Sequence, residues 1–335
     1  MRIAITGEAG FIGRNLPASI KSLDHTFVPL LNHERMVCLP TGEPCVHQNN
    51  AELWAEVLKE KAIDVIIHNA AVVGTDVVAL NPNEASLTNV AGTHIICQAA
   101  KNANIAVSYM GTSVIYETAA YQHQMIYESS ARLPTTLYGA QKLAAEYVVM
   151  GSKVTFNIIR PLFAYGGVGD MNSLISKTLY SAKSGRQNID MFLNPAKIKD
   201  YMHVTDYCDA VALSIHKGMW GTDYNVSAEN PYNTAEIAEM IADISGKNLD
   251  SIINWHPETD YLGNHRLSSK KFRDETNWSP KFSLESGIKN AWESIREDES
   301  GYDPLVYLDE ASERFNSILL NYLQSSHIYR HSTTL

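Results

Sequence analysis

Residues 6–13 read Thr6-Gly7-Glu8-Ala9-Gly10-Phe11-Ile12-Gly13, and no other stretch limits the fold as strongly. An apolar run over residues 3–6 precedes the glycines, and a helical pattern starting near Phe11 follows them. Glycines between a strand and a helix let the backbone turn tightly, admit a pyrophosphate close to the main chain, and let the helix approach the strand. Open N–H groups and the positive end of the helix dipole then face the anion. The spacing is G-x-x-G-x-x-G, and it predicts a dinucleotide-binding turn made by Gly7, Gly10, Phe11, Ile12 and Gly13.

The sequence beyond this turn alternates. Strand patterns at 26–31, 64–68, 105–110 and 154–159 are separated by helical patterns at 51–61, 85–102 and 138–150. Short β-branched runs alternating with helices predict a parallel sheet covered on both faces. The expected fold class is therefore α/β: a Rossmann-type doubly wound parallel sheet with a smaller C-terminal α/β substrate domain. The expected division is 1–165 for the dinucleotide-binding domain, with 200–228 returning to it, and 166–199 plus 229–296 for the substrate domain. Helices are expected at 173–184, 206–217 and 234–245. Residues 297–335 read as an acidic C-terminal extension carrying a helix from about 304 to 324.

Charge narrows the partners. Lys plus Arg number 27 against 37 Asp plus Glu, a formal net charge of −10. The extension alone holds seven acids and two arginines, so half of that charge lies outside the catalytic body. No basic footprint for nucleic acid or for an anionic membrane is present. No apolar run reaches the ~18–20 residues of a membrane span. The four cysteines include no C-x-x-C pair, which fits reduced thiols and a cytoplasmic location. Only His327 and His331 have helical ligand spacing, and they lie in a polar tail, so no metal site is expected.

Tyr138-Gly139-Ala140-Gln141-Lys142 places a phenol and an ammonium on one helix face. A phenol with pKa ~10 needs a shift of ~3 units, worth ~4 kcal/mol, to act as a base at neutral pH. Lys142 and the positive charge of an oxidised nicotinamide have the sign to supply it. Thr112 follows the strand pattern at 105–110, where a hydroxyl would meet ligand at the carboxyl edge of the sheet. Nucleotide choice rests on the second strand, which ends at Leu31 without an acid to bond the ribose hydroxyls. Asn32 could bond a ribose hydroxyl, His33 or Arg35 could face the 2′-phosphate of NADP, and Glu8 argues against that phosphate. This reading favours NAD and leaves NADP open.

These motifs together resemble the extended short-chain dehydrogenase/reductase family, in its nucleotide-sugar epimerase and dehydratase branch. The likeness runs from residue 1 to about 296 and includes His68-Asn69-Ala70-Ala71, Asn89 with Gly92 and Thr93, Glu128, Arg160-Pro161 with Tyr165-Gly166, residues 199–206 and Trp278-Ser279-Pro280. The resemblance implies catalytic roles for Thr112, Tyr138 and Lys142, with Tyr138 as base and Lys142 also a ribose ligand. It implies cofactor contacts at His47, Asn69, Ala70, Ala71, Val73, Asn89, Pro161 and Leu162. The small-molecule substrate it implies is a sugar nucleotide, oxidised to a 4-keto intermediate. A homodimer through a four-helix contact is a further expectation from the resemblance alone.

Departures touch the substrate side. Phe163 stands where the family has a substrate-binding Asn, and Lys199 replaces an Arg, giving a point charge for a bidentate fork. His256 stands for a second diphosphate Arg, with Arg266 as an alternative. The family's 4,6-dehydratases carry Asp-Glu after the catalytic threonine, whereas Ser113-Val114 follows Thr112 here. Simple hydride chemistry survives these departures, with 4-epimerisation preferred. The alternatives are a dehydrogenase or reductase of another small hydroxy or keto compound, and a non-enzymatic dinucleotide-binding redox sensor.

Overall fold

A computed structural model of the chain describes residues 1–30, 50–116, 124–167, 173–184, 189–191, 193–248, 253–257, 264 and 266–295. Asn32, His33, Arg35, His47 and the helix expected in the C-terminal extension lie outside these residues.

The elements run β1 (Arg2–Thr6), α1 (Phe11–Ser22), β2 (Thr26–Val28), α2 (Ala51–Glu60), β3 (Val65–His68), α3 (Thr75–Leu80) and α4 (Pro82–Ser86). A π-helical turn (Leu87–Gly92) leads into α5 (Thr93–Ala103), β4 (Ala106–Met110), a 3-10 turn (Ser113–Ile115), α6 (Leu137–Gly151), β5 (Phe156–Pro161) and β6 (Phe163–Tyr165). Then follow α7 (Leu174–Ser184), β7 (Ile189–Met191), β8 (Ile198–Lys199), β9 (Tyr201–His203), α8 (Val204–His216) and β10 (Thr222–Val226). The chain continues with β11 (Tyr232–Asn233), α9 (Thr234–Ser245), β12 (Ile253–Trp255), α10 (Lys270–Thr276) and α11 (Leu284–Ser294).

Six strands form one sheet in the order β10-β5-β4-β3-β1-β2, every pair parallel. The doubly wound α/β arrangement expected from the alternation is present. Ile3, Ile5, Val65 and Ile67 face one core with Leu16, Ile20, Tyr207 and Val211. Ala4, Val28, Ile66 and Val107 face the other with Trp54, Leu58, Ile96 and Ala99. A third cluster joins Tyr165, Leu174, Leu179, Ile237, Ile241, Ile253 and Ile288 from the later elements. Strand order reverses between β1 and β3, and in open α/β sheets ligands bind outside the carboxyl ends at such a point. Among the described residues no helix is long and apolar enough to cross a membrane, and no group of three or more His, Cys, Asp or Glu could hold a metal ion.

Four expectations shift. The second strand stops at Val28, because Pro29 has no N–H to extend the ladder. The fifth begins at Phe156, after Lys153 takes a left-handed turn (φ +61°) and pairing with Val107 starts. The helix expected from 85 begins earlier, with Pro82 at its first turn, and widens into the π-helical turn around Asn89. The short helix α3 was not legible from periodicity.

Candidate active site

The glycine turn is drawn together by contacts that side chains would block. Gly7 adopts φ +70°, and a Cβ on it would lie 2.8 Å from the Cα of Ala70. On Gly13 a Cβ would lie 2.1 Å from the carbonyl oxygen of Gly7. Gly10 N–H closes the turn on the Gly7 carbonyl at 3.1 Å, and the amide of Asn69 donates to the same oxygen at 3.1 Å. Side chains cap α2, α6, α8, α9 and α11, but α1 begins at Gly10 with no side-chain cap and no acid in its first turn. An uncapped helix start beside a glycine cradle leaves its donors for an anion, and so these residues fit a dinucleotide pyrophosphate. Gly13→Ala is expected to destabilise the fold by about 1–3 kcal/mol, as overpacking does. It should also abolish the fluorescence change of bound NADH; unchanged binding would contradict this use of the turn.

Behind the turn a buried polar chain fixes the loop after β3. Thr6 Oγ1 stands 2.7 Å from His68 Nδ1, and His68 Nε2 stands 3.0 Å from Thr93 Oγ1. Thr93 donates to the carbonyl of Asn89 at 2.7 Å, so it accepts from His68 and the imidazole proton belongs on Nε2. Burial, with the charge of Lys142 adding to it, lowers the His68 pKa to about 3 and keeps the ring neutral. Thr6 in turn accepts from Ala70 N–H at 3.1 Å. Asn89 is 1% exposed; its amide accepts from Val72 N–H (2.8 Å) and donates to the Val72 carbonyl (3.0 Å) and to Gln141 (2.9 Å). Asn69, Ala70, Ala71 and Val73 are thereby held at the carboxyl edge, and Val73 is exposed.

Thr112, Tyr138 and Lys142 meet at the neighbouring strand ends. Thr112 follows β4, caps the 3-10 turn by accepting from Val114 N–H at 3.3 Å, and hydrogen-bonds the Tyr138 hydroxyl. The hydroxyl of Thr136 caps α6 by accepting from Gly139 N–H at 3.1 Å, which seats Tyr138 in the first turn. Lys142, one turn on, is 4% exposed and donates to the Met110 carbonyl at 2.7 Å, its ammonium 4.3 Å from the centre of the Tyr109 ring. Burial pushes Tyr138 up to about 12, against the lowering effect of its bond to Thr112. Burial brings Lys142 down to about 8, and Glu146 opposes that fall. Lys142 is thus aimed at a carbonyl, and the lowering of the phenol expected from it is not among the effects acting on Tyr138.

On the substrate side, Pro161 ends β5 and Leu162 packs with Ile115, Tyr116, Ile126 and Leu267, with Phe163 against the same cluster. Lys199 is 1% exposed, its ammonium 5.7 Å from the centre of the Phe163 ring. Arg266 precedes Leu267 in that cluster, and its carbonyl accepts from Ile126 N–H at 2.8 Å. His256 Nε2 lies 2.7 Å from Asp190, at the paired strands β7 and β12.

A sequence model for the NAD dependent epimerase/dehydratase family matches residues 3–227. The chain belongs to this family. A dTDP-glucose 4,6-dehydratase of Mycolicibacterium smegmatis is 23% identical over 93% of this chain and 98% of its own length. In structure, the chain is similar to dTDP-glucose 4,6-dehydratase of Bacillus anthracis in complex with NAD, with TM-score 0.77 and 23% identity over 91% of this chain and 99% of that one. It is also similar to UDP-glucose 4-epimerase of Thermotoga maritima with UDP-glucose, with TM-score 0.74 and 17% identity over 88% and 98% of the two chains.

In this epimerase/dehydratase chain the residues after Thr112 are chemically bare. Ser113 is 2% exposed, and Val114 packs beside Tyr138, Val78 and Ala85. Several supporting residues escaped sequence reasoning. Gln141, inside the Tyr-Lys motif, ties α6 to Asn89, to the Pro82 carbonyl (3.2 Å) and to Ser86 (2.8 Å). Arg160 and Glu146 form a fully buried bidentate pair at 2.8 and 2.9 Å beneath the site. Arg160 was legible only through the Arg160-Pro161 motif and Glu146 only as the residue four beyond Lys142, and nothing in the sequence signalled that the two pair.

Proposed function

We propose that this protein carries out NAD-dependent hydride chemistry on a sugar nucleotide, inverting C4 through a 4-keto intermediate. The observation that carries the proposal is the meeting of Thr112, buried Tyr138 and buried Lys142 at neighbouring strand ends, beside the uncapped glycine turn. A bound nicotinamide dinucleotide supplies the reversible hydride acceptor. Its pyrophosphate would rest on the backbone N–H groups that follow Gly10, its riboses and nicotinamide against Asn69–Ala71, Lys142, Pro161 and Leu162. Thr112 holds the Tyr138 oxygen in place, so that the phenolate form takes the hydroxyl proton of the sugar and later returns it. Lys142, one turn on, would stabilise that phenolate by charge once its ammonium leaves the Met110 carbonyl. Ser113 and Val114 offer no acid–base pair for removing water, which favours epimerisation over dehydration.

A second reading is oxidoreduction of a different small hydroxy or keto compound. It is favoured by Phe163, which sets an aromatic ring beside Lys199, and by His256, which is bonded to Asp190. Denaturing the purified protein and assaying the supernatant separates these readings, because an epimerase must keep the same dinucleotide through both half-reactions. Released NAD near one per chain, with melting raised by added sugar nucleotides, is the expected result. Dinucleotide binding without any response to sugar nucleotides would overturn the first reading.

The state of Lys142 predicts a pH dependence. Its ammonium is charged below about 8 and neutral above, so kcat/KM should fall as pH rises through that value. Lys142→Arg should move the falling limb to higher pH, because guanidinium keeps its proton. A limb unmoved in the variant would assign the titration to another group.

A further inference from the structure

We propose that Gln141 is a positioning residue of this site, whose side chain holds the first turn of α6, with Tyr138 on it, in register with the loop after β3. The inference rests on the functional reading above, with Tyr138 as base and the dinucleotide lying against Asn69–Ala71. Gln141 lies three residues beyond Tyr138, directly before Lys142, and is 5% exposed. Its amide uses both donors, to the Pro82 carbonyl at 3.2 Å and to Ser86 Oγ at 2.8 Å, and its oxygen accepts from Asn89 Nδ2 at 2.9 Å. Asn89 extends the connection, because its own amide meets both the N–H and the carbonyl of Val72. A continuous chain of hydrogen bonds therefore runs from α6 through the π-helical turn, a feature frequent at functional sites, to the loop after β3. Removing one member of such a buried chain leaves its partners unsatisfied. Two further ties, to β4 and β5, anchor α6 without reaching that loop. Lys142 donates to the Met110 carbonyl, a bond it must give up to face the phenolate. Glu146 holds Arg160 two turns farther along the helix than Tyr138. Gln141 keeps the Tyr138 turn in register with the loop when Lys142 lets go. Precision matters there, since a misplacement of about 1 Å between reacting groups can cost ~100-fold in rate.

Gln141→Met removes the hydrogen bonds at similar volume, and Gln141→Glu keeps the shape of the side chain. The readouts are kcat and KM on whichever of UDP-, dTDP- and GDP-hexoses the wild type turns over with NAD, NADH affinity by nicotinamide fluorescence, and melting curves. Gln141→Met should lower kcat by about 10–100-fold at a temperature where it is folded, with KM and NADH affinity close to wild type. A lower melting temperature with unchanged kcat would make Gln141 merely structural and overturn the inference. In Gln141→Glu the buried carboxyl stays protonated at low pH, so it can accept from Asn89 and donate to Ser86 or to the Pro82 carbonyl. Activity should approach wild type there and fall as the carboxyl ionises, which adds a falling limb below the one assigned to Lys142 while the protein stays folded. A pH profile like that of wild type, or a limb that only follows unfolding, would overturn the inference even if Gln141→Met does not fold. A wild type that turns over none of these sugar nucleotides would overturn the functional reading, and this inference with it.

Discussion

Tyr138→Phe is expected to lower turnover by about 10²–10⁴-fold, the usual contribution of a general base, while leaving dinucleotide binding intact. The phenol ring fills a buried position beside Val78, Ala85 and Val114, and Phe keeps that ring. What Phe removes is the oxygen that bonds Thr112 and would take the proton. Burial, opposed only by Thr112, holds Tyr138 up at about 12, so its ionisation depends on positive charge brought beside it. A fall in kcat with NADH affinity unchanged is therefore the predicted pattern. Turnover equal to wild type would remove Tyr138 from the reaction.

Glu146→Ala should be the most damaging substitution for stability, costing about 3–5 kcal/mol, because removing one partner leaves a buried charge short of its counterion. Glu146 and Arg160 are both fully buried; the guanidinium also reaches Asp223 at 2.5 Å and the Tyr116 hydroxyl at 2.9 Å. Asp223 cannot stand in for the lost acid, since it is 20% exposed and already shared with Arg132 at 2.6 Å. The pair also clamps α6 to β5, and the Glu146 charge supports the ammonium of Lys142. Urea unfolding of wild type and variant measures the cost. A loss under ~1 kcal/mol, the size of an exposed pair, would show that the network is not acting as a buried one.

The parts of this molecule that could be read from sequence are those whose partners are close along the chain. The glycine turn, the strand–helix alternation and the Tyr138–Lys142 pair each lie within a few residues, and local spacing determines their geometry. Parts missed join distant segments. Glu8 meets Leu30, Thr6 meets His68, and Arg160 meets Glu146 and Asp223. Each such pairing depends on strand register, which composition does not report. The direction of Lys142 is a similar case. Helical spacing places it on the face of Tyr138, but the carbonyl of Met110, at the end of a strand 32 positions earlier, decides where its ammonium points. The π-helical turn at Leu87–Gly92 left no periodic signal, although it carries the Asn89 that fixes the loop after β3.

The most direct test of hydride chemistry without dehydration is a proton NMR spectrum of UDP-, dTDP- and GDP-hexoses incubated with the protein and NAD. A change in the H4 couplings of one of these sugars, with the C6 hydroxymethyl signals retained, is the predicted result. A new C6 methyl doublet would show loss of water and contradict the account.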